Sequence, residues 1–275
     1  MNFPLEQWRL LITPPSIGAW NMAVDEAILE GIAITQEKPC LRLYAWEPPC
    51  LSIGYAQKVA DIDRARISSL GWDWVRRPTG GRAILHTDEL TYSIIAPTKN
   101  PRLLGGVVES YQRLSSALLA ALHSLNIPAL SLLNKSSTNH HEIGAVCFEV
   151  PSNYEITVSG MKLVGSAQAR RKNVVLQHGT FPLWGDLARI TQGLAYPDEG
   201  SRTASQERLL LHATTAERIL MKKVSWQEAA DAFILGFQTE LNLDFLHVSL
   251  SAMEISRTEQ LIQEKYTHPS WLERI

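Results

Sequence analysis

Four stretches of the sequence carry side chains able to do chemistry. The first is Arg76-Arg77-Pro78-Thr79-Gly80-Gly81-Arg82-Ala83-Ile84-Leu85-His86, which reads as a strand end, a Gly-Gly turn and a second strand. Glycines let a backbone approach a ligand and point its N–H groups at it. Three arginines would suit a phosphate or another anion. The same spacing also fits a plain hairpin turn with solvated arginines. The second stretch holds Cys147, between Val146 and Phe148. A cysteine among apolar residues is ordinarily a small buried hydrophobe, yet this one follows a polar loop and precedes a strand, where catalytic groups are often mounted. Cys40 and Cys50 lack such a setting and read as structural.

The third stretch runs from Gly160 to Gln168, with Lys162 just past a tight turn. Strand alternation from Lys162 puts Val164 and Ser166 on its face. Lys162 is then either a surface lysine or a cation turned into a pocket, where it would hold a carbonyl or phosphate or depress a thiol pKa. The fourth is Gln177-His178-Gly179-Thr180, whose histidine is a satisfied core residue or a site residue. His140 and His141 read as solvated, and no third ligand has metal-site spacing. Asp25 and Glu26 read as a charged helix face or a cap contact.

These residues need a scaffold, and the composition allows one. The chain has 275 residues, 28 acidic and 26 basic side chains, 45% apolar and 20% charged residues. That is ordinary globular composition and excludes disordered, collagenous and disulfide-scaffold classes. Near-neutral net charge argues against non-specific nucleic-acid binding. Three widely spaced cysteines fit a reducing cytoplasm, and neither a membrane-length apolar run nor a signal peptide is visible. No dinucleotide or P-loop glycine motif is present. Patterning predicts helices over 20–36, 61–70 and 107–126, with Leu114, Leu118, Ala121, Leu122 and Leu125 on the inner face of the last. Strands are expected at 41–46 and 51–55, then a hairpin series over 72–96, then 154–159, 161–168 and 173–181. Helices are expected at 203–221, 225–240 and 251–266, with a capping box at Ser225 and Glu228. The layout is α+β, with a mixed or antiparallel sheet flanked by helices and a helical C-terminal portion.

In combination, these motifs resemble the lipoate–protein ligase, octanoyltransferase and biotin ligase superfamily. The carriers are Arg76–Arg82 with His86, Gly160-x-Lys162-x-x-Gly165-Ser166-Ala167-Gln168 and Gln177–Thr180. Asn21-Met22-Ala23-x-Asp25-Glu26-Ala27 and Ser52-Ile53-Gly54-Tyr55-x-Gln57 fit too, so the match runs in order over roughly residues 7 to 183. Val146-Cys147-Phe148-Glu149-Val150-Pro151-Ser152, with Lys162 fifteen residues beyond Cys147, is similar to the cysteine-dependent octanoyltransferase branch. The Asn-Asp pair of the ATP-dependent ligases is not cleanly present at Asn153-Tyr154-Glu155.

The resemblance implies a catalytic domain over 1–185 and a helical extension over 186–275. It implies transfer of octanoyl from acyl carrier protein to a lipoyl-domain lysine, as in glycine cleavage H protein or a 2-oxoacid dehydrogenase E2, through a Cys147 thioester favoured by Lys162. Arg77, Gly80, Gly81, Arg82, His86, Gly165, Ser166, Gln168, His178, Gly179 and Thr180 would then bind substrate, with Val164 and Leu85 as aliphatic walls. Arg76, Arg77, Arg82 and Lys162 would form a positive cluster for the carrier's phosphopantetheine and a thiolate. No metal and no cofactor are expected, nor a nucleic-acid or membrane partner, and the setting is cytoplasmic. The alternatives are an ATP- and Mg-dependent ligase, an amidotransferase acting between lipoyl domains, and a silent acyl- or lipoyl-domain-binding protein.

Overall fold

The computed structural model describes residues 3–133 and 154–275; Cys147, His140 and His141 lie outside them. The first strands are β1 (Glu6–Ile12), β2 (Cys40–Tyr44), β3 (Cys50–Ile53), β4 (Asp73–Arg76), β5 (Ile84–His86) and β6 (Glu89–Pro97). They are followed by β7 (Leu130–Leu133), β8 (Tyr154–Val158), β9 (Met161–Arg171), β10 (Val174–Pro182) and β11 (Leu243–His247). The helices are α1 (Gly18–Thr35), α2 (Arg64–Ser69), α3 (Val107–Ser124), α4 (Glu199–His212), α5 (Ala216–Leu220), α6 (Trp226–Leu241), α7 (Ala252–Leu261) and α8 (Pro269–Leu272).

Eight strands form one mixed sheet in the order β11-β1-β2-β6-β10-β9-β8-β7, parallel only around β1. Consecutive residues of its strands face opposite sides, and both sides are covered. Leu11, Ile95 and Leu176 pack under Val24, Ile28 and Ile32 of α1. Leu10, Ile94 and Val175 pack with Leu114, Leu118 and Leu122 of α3 and Phe233 and Phe237 of α6. The α3 face expected from the sequence is the buried one, except that Leu125 lies one residue past the helix and is half-buried. Ser225 caps α6 as its spacing foretells, accepting from the Glu228 backbone N–H at 3.2 Å while Glu228 accepts from the Ser225 N–H at 2.7 Å.

The expected hairpin series over 72–96 is corrected. β4 and β5 do not pair with each other; they flank β3 in a separate three-stranded sheet, β4-β3-β5, and β6 belongs to the large sheet. Alternation reports that a segment is extended, not which strand it pairs with. The Gly-Gly segment is therefore a crossing over the end of β3 rather than a hairpin turn. The single helix expected over 203–221 is likewise two, α4 and α5. The Thr214 N–H leaves the helix to donate to the Lys162 carbonyl at 3.0 Å, and Thr215 caps α5. α7 runs on into a π-helical turn, Ile262–Tyr266, that buries Tyr266. β1 and β11 carry no pattern strong enough to mark them in the sequence. β11 shows little burial and is extended because it pairs in parallel with β1.

Candidate active site

A cleft lies where β9 and β10 of the large sheet face β5 of the small one. It encloses about 360 Å³ of open space, solvent mouth included. Arg77, His86, Gly165, Ser166, His178, Gly179 and Thr180, all anticipated from the sequence, line it. Met22, Tyr44, Trp46, Ile84, Thr91 and Ala167 complete the wall and were not anticipated as site residues.

Two close backbone approaches shape this cleft. A Cβ on Gly179 would sit 2.6 Å from the Gly165 carbonyl oxygen and 2.6 Å from Ser166 Oγ, so only glycine lets β10 lie this near β9. A Cβ on Gly54 would fall 1.9 Å from the Gly81 carbonyl oxygen, which seats the glycine loop directly on the end of β3.

Behind each imidazole stands a buried carboxylate. His86 Nδ1 lies 2.5 Å from Glu89 Oε1, and its Nε2 lies 2.6 Å from Ser52 Oγ. Ser52 Oγ accepts from Arg77 Nη1 at 2.7 Å, which leaves its own hydrogen to donate to His86 Nε2. The Trp46 ring stacks on His86 with 4.0 Å between centroids, and its indole N–H donates to Thr91, whose hydroxyl donates to Glu89.

The second imidazole, His178, faces Asp25 Oδ2 at 3.5 Å through Nδ1 and bonds the Thr79 hydroxyl at 2.6 Å through Nε2. Asp25, read from the sequence as a charged helix face or cap contact, is instead fully buried. It accepts from Arg42 Nη1 at 2.8 Å, Ser93 Oγ at 2.9 Å and Tyr44 Oη at 3.2 Å. Burial alone would raise its pKa, but the Arg42 charge and the His178 bond outweigh burial and hold it below the usual carboxylate range. Burial pushes the His178 pKa down, against the pull of Asp25, and favours a neutral ring. Each imidazole is thus held in one orientation by a carboxylate on one nitrogen and a hydroxyl on the other.

Among the described residues, one buried side-chain polar atom lining the cleft lacks a hydrogen-bond partner, Thr180 Oγ1. A buried hydroxyl left unpaired is costly unless a ligand completes it.

The remaining expected site residues lie around the cleft. Gly80 and Gly81 are exposed, and the carbonyls of Gly80 and Arg82 accept from Arg77 Nη2, so the Arg77 guanidinium braces its own loop. Arg76 is fully buried and donates to carbonyls at Gly54, Gln57, Trp271 and Leu272, so it is a strut and not part of an open positive cluster. Gln168 bonds Gln177 and Ser110 away from the cleft wall. Lys162 is buried, with Nζ 3.0 Å from Glu155, and lies opposite a register shift between Ile156 and Thr157. Such a bulge re-aims side chains locally and interrupts the face expected to join Lys162, Val164 and Ser166. Val164 packs into the main core and Leu85 against the smaller sheet's core, so neither walls the cleft.

Ser52 and Thr79 stood in quoted motifs without a role of their own, and Glu89 and Trp46 were not singled out; Ser52, Thr79 and Trp46 acquire their roles from partners distant in the chain. For Asp25 a signal existed: it directly follows the apolar Met22-Ala23-Val24 near the start of a helix. Among the described residues, no group of three or more His, Cys, Asp or Glu side chains is placed to hold a metal. Nor is any helix there long and apolar enough to cross a membrane.

Comparison with known proteins defines the class. The Lipoyl protein ligase A/B catalytic domain family matches residues 18–238, and the chain belongs to that family. Within it, full-length relatives put the chain on the octanoyltransferase branch. The octanoyltransferase LipM of Carboxydothermus hydrogenoformans is 37% identical over 271 residues, covering 98% of this chain and 100% of the relative. The octanoyltransferase LipM of Bacillus subtilis is 34% identical over 271 residues, covering 97% and 98%. The solved bi-partite lipoate protein ligase of Thermoplasma acidophilum superposes with a TM-score of 0.81 at 24% identity, over 97% of this chain and 96% of that one, a likeness of fold.

Proposed function

We propose that the protein is a cytoplasmic octanoyltransferase of lipoate biosynthesis. It takes octanoyl from acyl carrier protein, holds it as a thioester on Cys147, and passes it to a lysine of a lipoyl domain such as H protein or an E2 subunit. No ATP or metal enters, because donor and product are both acyl compounds. In the first half the Cys147 thiolate attacks the octanoyl carbonyl carbon, and the carrier's thiolate departs and takes up a proton. In the second half the neutral lysine amine attacks the enzyme thioester. The Cys147 thiolate leaves, and the amine's proton passes to a base.

The observation that carries this reading is the cleft. Trp46 and Ile84, backed by the buried Met22 and Tyr44, form an apolar wall for an alkyl chain, at about 0.8 kcal/mol per buried methylene. Thr180 brings one unpaired buried hydroxyl that can donate to the acyl oxygen as charge develops there. In this reading Lys162 favours the Cys147 thiolate through its positive charge, with Glu155 moderating the effect. Arg77, Gly80, Gly81, Arg82 and His86 form the side facing the donor arm. Gly165, Ser166, Gln168, His178, Gly179 and Thr180 form and support the opposite wall.

The test is intact mass after incubation with octanoyl-acyl carrier protein in the absence of ATP. An octanoyl adduct that hydroxylamine removes, and that Cys147→Ser lacks, is the expected result. Acceptor modification that requires ATP and survives Cys147→Ser would replace this reading with the adenylate-forming ligase.

A further inference from the structure

Of the positive charge expected beside the glycine loop, Arg76, Arg77 and Lys162 are turned to protein groups and Arg82 is half-buried, and two further side chains add to it. Arg76 and Arg77 point inward and bond protein groups. Just outside the same loop, Arg171 at the end of β9 and the exposed Arg274 near the C-terminus converge on one ring. Their guanidinium carbons lie 5.4 Å and 3.9 Å from the centroid of Tyr55. Arg171 Nη2 also donates to the Pro78 carbonyl at 3.2 Å, and the Tyr55 N–H donates to the Thr79 carbonyl at 2.8 Å, so the pair is anchored to the loop.

Several other cations nearby are neutralised. Lys265 pairs with Glu26, Lys172 and Arg257 pair with Glu30, and Arg64 pairs with Glu273. Among the described residues neither Arg171 nor Arg274 has a carboxylate within salt-bridge distance. The C-terminal segment that presents Arg274 is fixed in place. Trp271 Nε1 donates to the Arg76 carbonyl at 3.1 Å, and Arg76 Nε donates to the Trp271 and Leu272 carbonyls at 3.0 Å each.

We propose that Arg171 and Arg274 bind the phosphate of the acyl donor's pantetheine arm. The inference rests on the reading above that octanoyl arrives on such an arm, and its spacing supports it. From Ala167, in the cleft wall, to Arg171 is four residues of β9, or about 13 Å. Thirteen bonds separate a pantetheine thioester sulfur from its phosphorus. At the roughly 1.2 Å per bond of an extended backbone they span about 16 Å. A chain lying along β9, with its acyl end in the cleft, therefore brings its phosphate within reach of two guanidinium forks whose geometry suits it.

The test compares binding of 4′-phosphopantetheine and pantetheine to the full-length protein by calorimetry, alongside acylation by octanoyl-pantetheine, octanoyl-phosphopantetheine and octanoyl-acyl carrier protein. The phosphorylated ligand is expected to bind about tenfold more tightly, as for charge-assisted hydrogen bonds. Arg171→Gln and Arg274→Gln should each bring that ratio towards one, and should lower acylation by both phosphorylated donors relative to octanoyl-pantetheine. Equal binding of the two ligands by the wild-type protein overturns the proposal. So does a loss confined to the carrier protein, which would assign the arginines to the carrier's acidic surface. A phosphate preference without any acyl adduct would leave the site standing and overturn the Cys147 thioester instead.

Discussion

Replacing Asp25 with asparagine keeps the shape of the side chain and removes the charge that faces Arg42. The consequence follows from what else Arg42 touches. Its guanidinium is fully buried, and its other partners are the Asn21 carbonyl, Asn21 Oδ1 and Thr13 Oγ1, all neutral. Asp25→Asn therefore strands a buried cation, a loss of about 3–5 kcal/mol. At roughly 2–4 °C per kcal/mol for a chain of this size, Tm falls by about 6–20 °C at pH 7 in scanning calorimetry. Adding Arg42→Met removes the stranded charge and should return a large part of the loss, so the double variant is more stable than the sum of the singles.

The pH dependence has a fixed sign. The folded-state pKa of Asp25 is depressed, so its contribution is present above the unfolded value of about 3.9 and is lost as pH falls toward the lower folded value. The gap between wild type and variant should stay open through neutral pH and close only in acid. A Tm shift under about 3 °C for Asp25→Asn, or a double variant no better than the single, would refute the claim that the two charges compensate each other.

Two further outcomes are expected. Lys162→Ala should slow thioester formation and raise the pH at which Cys147 alkylates, while Glu155→Gln should lower that pH, each by about one unit; an alkylation profile that ignores both substitutions would remove Lys162 from thiol activation. Cys40 and Cys50 should resist alkylation until the chain unfolds, since burial pushes Cys40 up to about 12 and Cys50 well above the ordinary thiol value. Peptide mapping that finds either modified in the folded protein at pH 8 would contradict their burial.

Local rules account for what could be read before folding. The face of α3, the Ser225–Glu228 cap and the strand character of β2, β6 and β10 follow from periodicity and short-range hydrogen bonding, which neighbours in sequence decide. The site motifs were visible for the same reason, because glycines, arginines and histidines cluster within short windows. Pairing was not visible. β4 and β5 share extended character, yet each chose β3 as its partner. β11 is a strand only because β1 offers an edge.

By itself, then, the sequence determined the long helices α1, α3 and α6, most strands and seven of the residues that line the cleft. Tertiary structure decided which charges are compensated inside the protein and which stay open to solvent. Arg76 and Arg77, the obvious cations of the glycine loop, satisfy carbonyls and a hydroxyl inside the protein, and Asp25 is held opposite Arg42 in the core. Arg171 and Arg274, 103 positions apart, both approach the Tyr55 ring at the loop's outer side. The reason is physical. Residue type and spacing record that a charge exists, whereas its surroundings, a buried counter-charge or open solvent, exist only once distant segments have packed.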